Sequence, residues 1–448
     1  MGYSMERLCE LDLKHWQSSP HRKPLILRGA RQVGKTYCVR KFGSAHFRNM
    51  IEINFEQQKN YRACFDTLYP AEILTRLYTL SGKRITPGET LLFLDEIQEC
   101  PQAILALRYF YEQMPELHII AAGSLLEFTL RKEDFRMPVG RIQSLYMYPL
   151  SFKEFLIACG ETALTEYLRQ VTVESGVENV FHDRLITLLR QYLILGGMPE
   201  VISTYKEYAD LQACQVIQAT ILDNYRGDFG KYASKTSVRY LQQVYEKTCG
   251  LVAQHFQYVS IDPDASARDI RPALLDLIDA GIIYKVHATS AACLPLISTI
   301  KEKKFKLLFV DVGLISQTSA LSAEILMQDN LILINRGAIT EQFVGQELLA
   351  YAQNYQKTNL YYWEREQRSS NAEIDYITHV NSTILPIEVK SGTTGSLRSL
   401  QLFLNEKQLN IGIQISQKPL SFNNRILSIP LYMIAELPRI VITLLSNP

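Results

Sequence analysis

Gly29-Ala30-Arg31-Gln32-Val33-Gly34-Lys35-Thr36 decides how this chain is read. It fills the pattern G-x-x-x-x-G-K-[ST] without a break, and each part has a mechanical job. The glycines let the backbone wrap a phosphate with its N–H groups. Lys35 carries a charge to the β- and γ-phosphates, and the Thr36 hydroxyl is a Mg²⁺ ligand. The flanks fit: Pro24-Leu25-Ile26-Leu27 is a short apolar run of buried-strand type, and Thr36 to Phe42 can open a helix. Strand, loop and helix in that order aim a helix N-terminus at the phosphates. All eight residues, Gly29 through Thr36, are therefore candidate nucleotide contacts. The variable positions Ala30, Arg31, Gln32 and Val33 say little about which base is bound.

Leu91-Leu92-Phe93-Leu94-Asp95-Glu96 is the second motif, four apolar residues ending in two carboxylates. It reads as a buried parallel strand with acids at its C-terminal tip, the Walker B pattern. Asp95 is the expected Mg²⁺ holder and Glu96 the general base that polarises an attacking water. Met50-Ile51-Glu52-Ile53-Asn54 is a strand pattern between the two motifs, and Asn54 at its tip would couple partner binding to Glu96, a turn residue being the alternative. A third strand, Leu117 to Ala122, ends in Gly123-Ser124. Gly140-Arg141 follows a basic stretch holding Arg131, Lys132 and Arg136. An arginine near the γ-phosphate offsets transition-state charge, which makes Arg141 a candidate; a solvated surface arginine is the equal alternative.

Length and composition set the frame. A chain of 448 residues exceeds one core and predicts two to four domains. A net charge of +1 gives no global basicity, so any nucleic-acid site must be a local patch. The eight cysteines are scattered without a C-x-x-C pair and read as reduced thiols. There is no signal-peptide shape and no apolar run near the ~20 residues of a membrane helix. The expectation is a cytoplasmic protein with no membrane partner.

Strand and helix patterns alternate to about residue 160, predicting a parallel sheet covered on both faces. Ser151 and Glu154 stand at N-cap and capping-box positions of a following helix. Helical periodicity then dominates, and a helix from Asp183 to Leu195 stops at Gly196-Gly197-Met198-Pro199. Helices near 238–248, 250–257 and 266–278, then a strand at Ile282 to Val286, suggest a winged helix. Arg268 and Arg271 on its third helix could meet DNA phosphates. A helical lid packed on the first domain is the alternative, and Asp269, Asp276 and Asp279 on that helix oppose DNA. Lys301-Glu302-Lys303-Lys304-Phe305-Lys306 reads as a solvated edge or a basic contact patch before the buried strand Leu307 to Asp311.

The C-terminal third carries another constellation. A helix from about Ile339 bears Glu341 and Glu347; strand patterns follow at Glu373-Ile374-Asp375-Tyr376-Ile377 and Leu385-Pro386-Ile387-Glu388-Val389-Lys390. Residues i and i+2 of a strand share a face. Asp375, Glu388 and Lys390 are thus expected at one spot, with Ile374, Ile387 and Val389 or Tyr376 turned elsewhere. This is the PD-(D/E)xK arrangement of restriction-type nucleases. Asp375 and Glu388 would hold Mg²⁺, Lys390 would orient or deprotonate the water, Glu341 would complete the metal shell, and Gln401 could assist. An amphipathic strand pair with polar outer faces is the alternative.

Across nearly its whole length the chain resembles the bacterial and archaeal AAA-type ATPases that carry a C-terminal domain of unknown function related to PD-(D/E)xK nucleases. The match rests on the two motifs with Ile97-Gln98, Gly123-Ser124, Gly140-Arg141, Pro149 to Phe152, Gly196 to Pro199, Asp311-Val312-Gly313-Leu314, Glu373 to Asp375 and Ile387 to Lys390. The resemblance implies an α/β architecture with three parts: an AAA-type P-loop sheet over 1–160, a helical lid with a winged-helix-like segment over 161–325, and an α/β nuclease-like domain over 326–448. It implies ATP and Mg²⁺ as cofactors, with Ser124 as sensor of the γ-phosphate. The absence of an N-K-x-D motif also favours ATP over GTP. Three functions follow: an ATPase acting on DNA or a protein partner, an ATP-gated DNA nuclease, or a nucleotide-dependent switch whose tail binds without cutting. The oligomeric state and any arginine finger stay open.

Overall fold

The computed structural model describes residues 5–124, 126–130, 140–232, 235–319, 336–365, 372–392 and 396–446. Five strands build the first sheet: β1 (Leu25–Arg28), β2 (Asn49–Asn54), β3 (Thr90–Asp95), β4 (His118–Ala122) and β5 (Gln143–Tyr146). Their order is β2-β3-β4-β1-β5 and every pairing is parallel. Leu25-Ile26-Leu27 and Leu91 to Leu94 are apolar and buried without alternation, as strands covered on both faces must be. The order puts β4 between the P-loop strand β1 and the Walker B strand β3. Ser124, just past the end of β4, thereby lies between the two motifs at the edge where open α/β sheets gather ligands.

Helices dominate from Phe152–Ala158 to Ala267–Asp279. Ser151 caps that helix, with Glu154 closing the capping box as its spacing predicts. The Asn179–Leu195 helix ends at Gly196, whose φ of 72° and near-contact with Asp311 admit no side chain: a Cβ there lies 1.9 Å from Asp311 Oδ1. The Lys235–Leu251 helix does not continue as a second helix over 250–257. Val252 and His255 instead bridge to Leu307 and Lys306, because their backbone groups find partners on a strand. The Ala267–Asp279 helix is present, and Asp269 is occupied in capping Ser266.

Eight strands build the second sheet, in the order β12-β13-β11-β10-β9-β8-β6-β7. They are β6 (Ile283–Thr289), β7 (Ile300–Phe309), β8 (Leu360–Glu364), β9 (Glu373–Val380), β10 (Thr383–Val389), β11 (Gly412–Ser416), β12 (Ser421–Asn423) and β13 (Ile426–Pro430). The wing-like hairpin β6–β7 pairs in parallel with β8, so it belongs to the same sheet as the Asp375 and Glu388 strands. The sheet thus crosses the expected division at residue 325. The charge run Lys301 to Lys306 is the first half of β7, exposed at Glu302 to Lys304 and buried from Phe305 on.

β9 contains a bulge. Tyr361 pairs with Ile377 and Trp363 with Ile374, so Asp375 and Tyr376 together oppose Tyr362. Ile374 and Ile377 share one apolar cluster, while the Tyr376 hydroxyl donates to the Glu341 carbonyl at 2.7 Å. Tyr376 is therefore turned toward the Glu341 helix, not away from it, which strict alternation does not foresee.

Candidate nucleotide site and the acidic pocket of the second sheet

The P-loop winds through positive φ at Gly29 (146°), Gln32 (64°) and Gly34 (91°). Gly29 is required by its neighbour: a Cβ there would sit 2.1 Å from the Met147 carbonyl oxygen. Lys35, the first residue of the Lys35–His46 helix, donates through Nζ to the carbonyls of Gly29 (2.9 Å) and Ala30 (2.7 Å). Burial pushes its pKa down to about 8, against the pull of Glu96 and Asp95. A buried ammonium whose hydrogen bonds go to neutral carbonyls suits an incoming polyanion. Thr36 Oγ1 donates to Asp95 Oδ2 at 3.1 Å, bringing together the hydroxyl and carboxylate that fit Mg²⁺. Burial, then the neighbouring Glu96, raises the Asp95 pKa.

Glu96 follows β3 with φ of 48°, and its Oε2 accepts from Gln98 Nε2 at 2.6 Å. Gln98 is seated by the bare Gly123, where a Cβ would lie 2.3 Å from Gln98 Oε1. Asn54 Nδ2 donates to Asp95 at 3.2 Å, so its link is to the Asp95 carboxylate and not to Glu96. Ser124 Oγ accepts from Arg31 Nε at 3.2 Å. Arg141 is placed elsewhere. It lies before β5, at the N-terminal end of the strands and so at the opposite end from the P-loop, exposed and paired with Glu112 at 2.8 Å. The geometry thus gathers Lys35, Thr36, Asp95, Glu96, Ser124 and Arg31, and leaves Arg141 outside.

In the second sheet a lysine from β7 dominates. Lys306 is 2% exposed, and its Nζ lies 2.8 Å from Glu341 Oε1 and 2.5 Å from Glu373 Oε1. Burial opposes its charge, but Glu341, Glu373 and Asp375 outweigh burial and hold its pKa above the usual lysine range. Glu373 also accepts from His255 Nε2 at 2.6 Å. Burial raises Glu341 to about 8 despite Lys306, consistent with three carboxylates around one ammonium retaining a proton.

Asp375 Oδ2 accepts from the Val389 N–H at 2.7 Å, and Glu388 Oε1 accepts from Lys390 Nζ at 2.6 Å. Glu388 Oε2 is buried without a hydrogen bond, and burial plus the Asp375 charge lift its pKa to about 7. Asp375, Glu388 and Lys390 are neighbours, as the strand pattern predicts. Glu341 does not join them as a third metal ligand, because its carboxylate is tied to Lys306. Among the described residues no three His, Cys, Asp or Glu side chains form a metal-holding group. Gln401 is exposed on the Arg398–Glu406 helix. Nothing in the sequence signals Lys306 except its presence in a charge run.

Residues 21–156 match a family model described as an AAA domain, on the part of the chain that holds the five-stranded sheet and both motifs. This part of the chain has the fold of an AAA-type P-loop NTPase domain. Residues 186–324 and 336–434 match two models described as domains of unknown function, DUF8612 and DUF4143. No functionally curated protein matches the chain. Among solved structures it is similar to the Aeropyrum pernix ORC1 protein in complex with DNA (12% identity, TM-score 0.29, 72% of this chain and 95% of that one). It is also similar to AMPPCP-bound DnaA from Aquifex aeolicus (14%, 0.26, 59% and 81%). A third likeness is to a STAND protein with a tetratricopeptide repeat sensor from Pyrococcus horikoshii (11%, 0.25, 79% and 50%). Among the described residues no helix is long and apolar enough to cross a membrane.

The AAA domain is wired to the Glu341 helix through buried polar groups. Arg7 donates to the P-loop carbonyl of Val33 (2.7 Å), to the Tyr148 carbonyl (2.6 Å) and to Glu154 Oε1 (2.9 Å). Glu154 closes the Ser151 cap, and the next N–H, Phe152, donates to Glu347 at 3.0 Å. Glu347 stands on the Arg336–Ala350 helix that also carries Glu341. Gln346 beside it accepts from Val312 N and donates to Tyr192 Oη, at 2.8 and 2.9 Å. Arg7 and Gln346 carry no local motif, and sequence reading misses both.

Proposed function

We propose that this chain binds ATP with Mg²⁺ and hydrolyses it at the AAA domain, with DNA as the partner its cycle acts on. The observation that carries the reading is the convergence of Lys35, Thr36, Asp95 and Glu96 at the C-terminal ends of β1 and β3, with Ser124 beside them. Lys35 would hold the β- and γ-phosphates, and Thr36 with Asp95 would hold the metal. Mg²⁺ would supply charge neutralisation between the phosphates. Glu96 would take the proton of the attacking water, and Gln98 fixes where its carboxylate waits.

DNA is favoured by a local basic face. Arg268 and Arg271 are exposed on the Ala267–Asp279 helix, and the charge of Arg271 falls on Lys285 of β6. Lys303, also exposed, is on β7, which pairs with β6. Phosphates could be met there without base readout.

The test is nucleotide binding and turnover in two variants. Lys35→Ala should lose binding by at least about a hundredfold, as removal of a buried phosphate-binding charge implies. Glu96→Gln should bind ATP as wild type does and hydrolyse it at least about a hundredfold more slowly. Equal turnover in all three proteins sinks the reading.

The tail is proposed to bind rather than cut, because Lys306 takes up Glu341, the carboxylate that would complete a metal shell around Asp375 and Glu388. Linear and circular DNA should stay intact with Mg²⁺ or Mn²⁺, with or without ATP. Cleavage by wild type that Lys390→Ala abolishes would restore the ATP-gated nuclease.

A further inference from the structure

Arg31 fills a P-loop position that the motif leaves free, yet it is among the most engaged side chains of the nucleotide site. Its Nε donates to Ser124 Oγ at 3.2 Å, at the tip of the strand separating the two motifs. Its Nη1 pairs with Asp228, which closes the Leu211–Gly227 helix outside the AAA domain. From the same helix, Tyr225 Oη donates to the Arg31 carbonyl at 2.9 Å. The guanidinium thus stands between a phosphate-sensing position and a carboxylate supplied by the lid. It also lies close enough to Lys35 to lower that ammonium's pKa, after burial, so two cations face one space.

We propose that Arg31 contacts the γ-phosphate in cis and that Asp228 holds its guanidinium until ATP arrives; this rests on the ATP reading above. Three features make the exchange feasible. Arg31 keeps 26% of its side chain exposed while Asp228 keeps 7%, so the cation can move and the carboxylate is the fixed post. Lys231 Nζ lies 3.2 Å from the other Asp228 oxygen, so Asp228 is not left as a buried unpaired charge when Arg31 swings away. A guanidinium also offers five donors in a planar fork, suited to moving between a carboxylate and a phosphoryl group. Arg141 cannot take this role from the N-terminal end of the strands. Loss of the Arg31–Asp228 pair would also release the lid contact, so the presence of the γ-phosphate would be reported outside the AAA domain.

The experiment is equilibrium binding of a non-hydrolysable ATP analogue and of ADP to full-length wild type, Arg31→Ala, Asp228→Asn and Lys35→Ala. Arg31→Ala should weaken the triphosphate by about tenfold or more, the usual scale for a charged hydrogen bond, and change ADP by less than about threefold. Asp228→Asn, which frees the guanidinium, should tighten the triphosphate severalfold and leave ADP unchanged. A wild-type ratio of triphosphate to ADP affinity in both variants, or equal losses for both nucleotides, overturns the assignment and makes Arg31 a structural clamp. If wild type binds neither nucleotide, or Lys35→Ala binds both normally, the ATP reading itself fails, and this proposal with it.

Discussion

Lys35 and Lys306 are both buried, and both ammonium groups lie among oxygens, yet the two sites behave oppositely. Lys35 meets carbonyls of its own loop, five and six residues back. Lys306 meets Glu341 and Glu373, which arrive later in the chain on a helix and another strand. Carbonyl dipoles release a cation to a phosphate because the exchange gains a full negative charge. Carboxylates in a buried pocket do not, since leaving them exposes uncompensated charge. The first site is therefore ready for an anion, and the second has its cation built in.

The largest effect should come from removing that cation. Lys306→Met should destabilise the protein by about 3–5 kcal/mol, the range for breaking a buried ion pair. Mn²⁺ or Mg²⁺, without nucleotide, should recover much of the lost melting temperature in the variant and leave wild type unmoved. A metal response of equal size in both proteins would show that the pocket was open all along, and the comparison would break.

A second test addresses the joint between the regions. Gly196→Ala places a methyl group against Asp311 at a positive φ, and about 3 kcal/mol or more of stability should be lost. Nucleotide affinity measured well below the melting point should hardly change. If affinity falls with stability, the joint and the P-loop are one unit and the two sites are not separable.

The smallest effect concerns pH. Burial raises the Glu347 pKa from 4.5 to about 8. The folded state therefore binds a proton that the unfolded chain releases, so this group's contribution is full below the ordinary carboxylate range and lost as pH rises through about 8. Wild type should lose a few degrees of melting temperature between pH 5 and pH 8.5 that Glu347→Gln does not lose. Parallel curves for the two proteins would place the proton elsewhere in the network.

Several features were legible because their causes are local. The P-loop, the capping box at Ser151 and Glu154, and the stop at Gly196 each involve residues within one or two turns of each other. The alternation that joins Asp375 to Glu388 was legible for the same reason. Tyr376 was not, because one extra residue in β9 turns it to the Glu341 side. The sequence singled out Arg141 and passed over Arg31; the parallel pairing of β5 with β1 leaves Arg141 at the N-terminal end of the sheet, while Arg31 lies beside Ser124.

By itself the sequence determined the phosphate-binding loop, the acids that follow β3, and the alternation of strand and helix around them. Backbone conformation and hydrogen bonding over a few residues are written in those residues. Only the tertiary structure decided that the β6–β7 hairpin joins the second sheet and carries Lys306 to Glu341 and Glu373. Charge in a buried pocket is a sum over segments far apart in the chain, and strand pairing sets which segments meet.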